Sequence, residues 1–585
     1  MSLDETYDRI LLSIARERQG YAQRLFQCLA ESIRPLHAEE LAEILAIQFG
    51  RETLPNYDVK WRPGNPEEAV LSACSSLLTI VDMGTSRVVQ FSHFSVKEYL
   101  TSERLANAGK HLSQYHILPL SAHTILAQAS LSVLLTLDDQ VDKETVKNFP
   151  LAVYAARYWV DHAQFDNVCS SINVAMEQLF DPAEPHFSAW VWIYDIDYKF
   201  REVMFEARPT SPRTVPLYYA ALCGFRDLVE HLIVTNPQDI NARGGFYATP
   251  LHTTVAIGNA DIMKLLLEHG ADVTAGNWEE FTPLYEASRR GRLDMMSLLF
   301  DHHADVNSRG KKGRTALLKA AFEGELEVAR VLVQHGATAD IGNTDGWTPL
   351  ISASRHGHLD IVHLLLQSGA AVDLHNNDGW TPLLFASQFG HPDVISLLLQ
   401  NGASVEFRNN DGWTSMMLAS GDGHLDVVRL LLKDGASVDS RNNDGWTSLA
   451  LASENGHLEV VRLLLQNGAN VDSRNYEDST PLMLASRSEH PDVVRLLLQN
   501  GASVDSRNIH GRTALALASE IGHLDIVRLL LQSAATVNLS AIDGWSRYHG
   551  TSRFPSRYCA AVSSFPHRFK SGGPRLLYSS SSGIC

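Results

Sequence analysis

Apolar positions between residues 215 and 545 fall into two short stripes that recur every 33 residues, with Gly, Asn and Asp between them. A Thr precedes the first stripe at Thr249, Thr282, Thr315, Thr348, Thr381, Thr414, Thr447, Thr480 and Thr513, and Val215 opens a more divergent copy 34 residues before Thr249. One unit of 34 residues and nine of 33 fill the segment, so it holds ten units. In the unit from Asp345 to Asn377, Asp345-Gly346 is a tight-turn dipeptide. Thr348 stands where a hydroxyl caps a helix, and Pro349 takes the first helical position, where a missing donor costs nothing. Small Ala353 and Ser354 admit a close neighbour, and Gly357 ends that helix. Leu359, Val362, Leu365 and Leu366 give a second helix one apolar stripe, closed by Gly369 as a left-handed cap. Each unit is thus predicted as turn, helix, turn, helix. So short a unit cannot bury its own stripe and must stack on its neighbours, which makes the segment an α-solenoid.

The unit resembles the ankyrin repeat. Thr249-Pro250-Leu251-His252 matches that family's TPLH, Gly357-His358-Leu359 its GHL and Gly369-Ala370 its GA. The resemblance covers more than half of the chain and implies an array that binds a protein partner. The motif's His survives only at His252; elsewhere stand Tyr285, Leu318, Ile351, Leu384, Met417, Ala450, Met483 or Ala516, so apolar packing is expected in place of a hydrogen bond. Ala316, Ser415, Ser448 and Ala514 replace the Pro, Glu489 replaces a Gly that ends a first helix, and Ala534 replaces a capping Gly. Each such copy is expected to be weaker by up to about 1 kcal/mol.

Trp347, Trp380, Trp413 and Trp446 precede the Thr in four successive units, and Trp545 begins an unfinished eleventh. The resemblance implies that this position lies on an exposed hairpin finger used for partner contact, with about 10 Å from one indole to the next. Two readings stand: a row of interface hot spots, or indoles that each pack on the adjacent finger and stiffen the array. The first-helix ends differ from copy to copy, which suits a linear polypeptide partner and equally a drifting surface. Arg355, Gln388, Phe389, Asp422, Glu454 and Arg487 are the candidate contacts there. His358, His391, His424, His457, His490 and His523 recur once per unit, too far apart to share a metal, and are read as structural.

Ahead of the array the period changes. Tyr21 to Ile33 and Ala38 to Ile47 read as two amphipathic helices and Glu67 to Leu77 as a third. Leu78 to Val81 and Val88 to Ser92 alternate like two strands, and Ser95 starts a further helix. This is the winged-helix order. The third helix carries no Lys or Arg, which argues against DNA reading. The blocks Leu41–Leu45, Ala73–Leu77 and Phe91–Leu100 resemble the winged helix that follows the NACHT nucleotide-binding module in fungal NACHT–ankyrin proteins, a domain also named after the GPI inositol-deacylase. In that class of signalling ATPases, the STAND type, a winged-helix His touches the β-phosphate of bound ADP. His93 is the matching candidate, with a histidine packed at a strand end as the alternative. The predicted organisation is a mostly α chain. A winged helix over 1–108 and a helical connector over 109–214 precede an ankyrin-repeat α-solenoid over 215–545. The aromatic stripe of the connector reads as core.

Charge and composition narrow the functions. The formal charge is −18, with 67 Asp and Glu against 49 Lys and Arg, which disfavours nucleic acid as a partner. Six scattered Cys, no basic and apolar leader and no apolar run of membrane-spanning length predict a soluble cytoplasmic protein. The chain has no G-x-x-x-x-G-K-[ST] and no G-x-S-x-G, so neither an ATP site of that kind nor the deacylase's nucleophile is encoded. The expectation is a non-enzymatic scaffold without metal or cofactor. One alternative is a fragment or subunit of a nucleotide-regulated NACHT-type switch, and another is DNA binding through the winged helix or tail. Residues 546–585 hold six Lys and Arg and no acid, and the repeat stops inside a motif at Ser546. They read either as a basic contact segment or, the preferred reading, as a disordered or frame-shifted end, since a solenoid finishes on a polar capping unit.

Overall fold

The computed structural model describes residues 2–49, 56–84, 86–138, 140–198 and 214–533. Ala534, Trp545 and the basic tail lie outside the described residues. The chain divides into two compact units, one of Met1–Ala287 with Asp294–Ala304, the other of Ser288–Leu293 with the chain from Asp305 onward.

The first unit opens on a helix absent from the sequence reading, Leu3–Ser13, whose Ser2 and Glu5 form a reciprocal capping box. The three predicted helices follow as Gln19–Glu31, Ala38–Leu45 and Pro66–Cys74. The hairpin then pairs Leu78–Met83 with Ser86–Phe91, and the next helix is Phe94–Leu100. An unpredicted two-residue ladder joins Ile47–Gln48 to Asn56–Tyr57, too short to leave an alternating pattern. The Val89 N–H donates to the Leu36 carbonyl at 2.9 Å, so the chain before Ala38–Leu45 adds a rung to the hairpin. Leu25, Phe26, Leu41, Ile44, Val70, Val89 and Leu100 form the buried centre.

The connector contributes the helices Pro119–Leu134, Ala152–Ala163, Val168–Leu179 and His186–Ile193. Its aromatic stripe is core. Trp159 lies 5.3 Å from Trp190 and 5.4 Å from Phe225, and Phe187 lies 5.4 Å from Tyr219, so these rings close over the helix Pro216–Cys223 of the first repeated unit. Beneath them runs a buried polar chain. Glu31 Oε2 stands 3.7 Å from His123 Nε2, His123 Nδ1 stands 2.8 Å from His162 Nδ1, and His162 Nε2 stands 2.8 Å from the Tyr154 hydroxyl, which accepts the Ile33 N–H at 3.3 Å.

In the second unit every predicted cap is present. The hydroxyls of Thr315, Thr348, Thr381, Thr414, Thr447, Thr480 and Thr513 each accept the N–H three residues on. Where Pro is replaced, the first helix still begins at Ala316, Ser415, Ser448 or Ala514, because the Thr cap suffices. Glu489 adopts the left-handed conformation of the Gly it replaces, at φ 64°. The replaced motif His is buried apolar packing at Leu318, Ile351, Leu384, Met417, Ala450 and Met483. One column runs against economy: the hydroxyls of Ser354, Ser387, Ser420, Ser453 and Ser486 are buried with no partner among the described residues. An unsatisfied buried hydroxyl costs roughly 1 kcal/mol or more, so Ser420→Ala is expected to raise stability by about 1 kcal/mol, read from the urea midpoint.

Candidate partner-binding face

From Asn343 onward, each finger of the second unit is closed by an Asn that the sequence reading passed over, whereas Gly310 closes the finger before Thr315. The Asn376 N–H donates to the Trp380 carbonyl at 3.1 Å, while its Oδ1 accepts the N–H of Trp380 at 2.8 Å and of Asp378 at 3.1 Å. Asn409 and Asn442 repeat the arrangement for Trp413 and Trp446. Fingers are tied side by side: Asn377, Asn410 and Asn443 donate N–H to the carbonyls of Asp345, Asp378 and Asp411 at 3.1, 3.2 and 3.0 Å. These bonds use backbone carbonyls and leave the carboxylates of Asp345, Asp378, Asp411 and Asp444 at the exposed edge.

Trp347, Trp380, Trp413 and Trp446 are all half-buried. None of their indole N–H groups meets a protein acceptor among the described residues, and none is sealed from solvent. An aromatic packing partner of Trp347 is Phe385 on the next first helix, at 4.8 Å; Trp380 stacks on the same ring at 4.7 Å. Phe385 was missed, although a signal existed, since it stands 33 residues after small Ser352. The Arg355 guanidinium lies over this group, 5.3 Å from Trp347, 5.8 Å from Phe385 and 5.2 Å from Phe389. The structure thus brings Trp347, Arg355, Trp380 and Phe389 together around one ring.

The other candidates separate. Arg487 Nη2 pairs with Glu454 Oε1 at 2.7 Å, one unit apart. Gln388 is half-buried and lends its carbonyl to His424. Asp422 is half-buried, its carboxylate without an ion-pair or hydrogen-bond partner among the described residues, and burial raises its carboxyl above the usual range, with His424 opposing. The recurring histidines bind the array. His391, His424, His457, His490 and His523 each place Nε2 at 2.9 to 3.1 Å from a carbonyl at the end of the preceding first helix. Among the described residues no group of three His, Cys, Asp or Glu is gathered as a metal site requires.

In the first unit His93 is exposed. Its Nδ1 lies 2.6 Å from Ser95 Oγ and accepts the Ser95 N–H at 3.3 Å, and Ser95 Oγ is 2.7 Å from the Tyr7 hydroxyl. With Nδ1 committed as an acceptor, Nε2 carries the proton and has no partner among the described residues. The third helix begins with Glu67 and Glu68, and Arg87 of the hairpin is tied to Glu67 and Asp82. No described helix is long and apolar enough to cross a membrane.

A family model for ankyrin repeats in three copies matches overlapping stretches from residue 217 to 541. The chain belongs to the ankyrin-repeat family. A second model, the winged helix domain of GPI inositol-deacylase, matches residues 8–109, ahead of the ankyrin repeats. The chain is similar to the azaphilone pigments biosynthesis cluster protein L of Monascus ruber, 30% identical over 287 residues, which is 46% of this chain and 60% of that protein. It therefore spans about three fifths of that relative's length. A short stretch of 60 residues is 38% identical to alpha-latrocrustotoxin-Lt1a of Latrodectus tredecimguttatus, covering 10% of this chain and 4% of the toxin.

Proposed function

We propose that the chain is a non-catalytic interaction protein whose ankyrin array holds a protein partner along the fingers and first-helix ends of the second unit. The observation that carries this is the row of half-buried Trp347, Trp380, Trp413 and Trp446, whose indole N–H groups meet no protein acceptor among the described residues. Aromatic side chains held rigid with one polar edge open are what interface hot spots use. By the likeness of its winged helix to that of fungal NACHT–ankyrin proteins, we read the role as signalling or non-self recognition in the cytoplasm. Full-length chain and the Trp413→Ala/Trp446→Ala double variant, used as bait from the same cells, test it. The expected result is a partner recovered by the parent and at least tenfold depleted with the variant while the melting temperature holds within a few degrees. Equal recovery of every partner rejects the assignment of this face.

A second reading, a nucleotide-regulated switch completed by a separate NTPase module, draws on the exposed His93 with its outward Nε2. Calorimetric titration with ADP of the chain mixed with such a module tests it: affinity unchanged by His93→Ala rejects the role of His93.

A further inference from the structure

The second unit carries an internal contact between a cation and a finger indole. Arg355 lies 5.3 Å above Trp347, a cation on an indole. The 33-residue register puts Gly421 and Glu454 where Arg355 stands, after Trp413 and Trp446 respectively. Among the described residues no Lys or Arg of the chain lies over either of those two indoles. The chain offers carboxylates there instead: Glu454 at the position itself and Asp422 one residue beyond Gly421. Glu454 is answered by Arg487 at 2.7 Å, whereas the carboxylate of half-buried Asp422 has neither an ion pair nor a hydrogen bond among the described residues. A half-buried carboxylate without a partner is costly unless a cation arrives. Its setting is acidic throughout, since residues 345 to 478 contain 17 Asp and Glu against seven Lys and Arg. Asp378, Asp411 and Asp444 add exposed carboxylates at the finger edge.

We propose that the partner presents a basic, extended segment whose Arg or Lys side chains stack on Trp413 and Trp446 and pair with Asp422. This rests on the interaction reading above and adds the chemistry of what is bound. Adjacent units are about 10 Å apart, and an extended chain of polyproline II form rises about 3.1 Å per residue with three residues per turn, so cations at every third residue share one face and stay in register with the indoles.

Selection of an unbiased peptide library on the full-length chain tests both statements separately, followed by fluorescence anisotropy of the recovered peptides. The expected result is enrichment of Arg or Lys at three-residue spacing, affinity that falls steeply with salt, and losses of tenfold or more with Asp422→Asn and with Trp413→Ala. Asp360→Asn, at the start of a second helix, is expected to change affinity less than twofold. Circular dichroism of Asp422→Asn identifies any loss due to misfolding, in which case Asp422→Ser is measured in its place. Peptides enriched in acidic or apolar residues that still require Trp413 overturn the basic partner and leave the interaction face standing. If no recovered peptide depends on Trp413, both fall.

Discussion

Gly423→Ala is expected to destabilise the second unit by about 3 kcal/mol, the sum of a left-handed residue given a side chain and a core contact overfilled. Gly423 has φ +80°, and a Cβ there would meet His457 Nδ1 at 2.5 Å. That imidazole cannot retreat cheaply, because its Nε2 is bonded to the Gly421 carbonyl at 3.0 Å. Gly435 supplies the control: its φ is +84°, and nothing lies within 4 Å of its added Cβ. Gly435→Ala is therefore expected to cost only the backbone component, about 1 kcal/mol. Urea unfolding followed by finger Trp fluorescence measures both. Equal losses for the two variants would show that His457 does not lock one ankyrin unit onto the one before it. Glu489 shows how the array tolerates a side chain at this position: its carboxylate reaches 3.6 Å from His523 Nδ1, a partner that Ala does not provide.

Acidification from pH 7.5 to pH 5 is expected to destabilise the first unit by about 2 kcal/mol through His162 alone. Burial pushes this imidazole down to about 3, with His123 adding to the effect, and His123 is itself lowered by burial against the pull of Glu31 and Asp166. In the neutral chain each donor has an acceptor. The Ile33 N–H points at the Tyr154 oxygen, so the Tyr154 hydroxyl donates to His162 Nε2, His162 Nδ1–H donates to His123 Nδ1, and His123 Nε2–H faces Glu31. One further proton turns an acceptor into a donor and leaves the Tyr154 hydroxyl opposed to an N–H. The unfolded imidazole titrates near 6.5, so below that pH the unfolded chain binds more protons than the folded one. Stability is present in full above pH 6.5 and is lost as pH falls towards 3. The charged groups facing this chain are Lys97, 3.9 Å from Glu31, and Arg34, over the Tyr154 ring. Thermal melts from pH 7.5 to 5 measure the slope, and His162→Gln is expected to flatten it. A slope unchanged by that substitution places the titration elsewhere.

How much of this could be read from the chain alone varies with the range of the interaction. The Thr caps, the Gly that end the helices and the apolar stripes act over three or four residues, and they repeat, so period and chemistry together pointed to the paired helices seen among the described residues. The winged-helix order was legible for the same reason, with boundaries shifted by a few residues where a cap such as His93 moved the start. Leu3–Ser13 was missed because its buried side is narrow, with only Tyr7 and Leu11 buried. The Trp row was found, but its meaning needed the neighbouring unit: Phe385 meets Trp347 from 38 positions away, and nothing local records that approach.

By itself the sequence determined the repeating architecture, the absence of a Walker-type loop, and the acidic balance of the array, because each follows from residue type and spacing. Tertiary structure alone decided which polar groups are satisfied. Among the described residues, five Ser hydroxyls at one register are buried without partners, the Glu454 carboxylate is paired from the next unit while that of Asp422 is not, and two His separated by 39 positions share one hydrogen bond within the connector. Satisfaction depends on contacts across units and helices, where a tenth of a nanometre separates a hydrogen bond from an uncompensated charge, and residue order does not carry that distance.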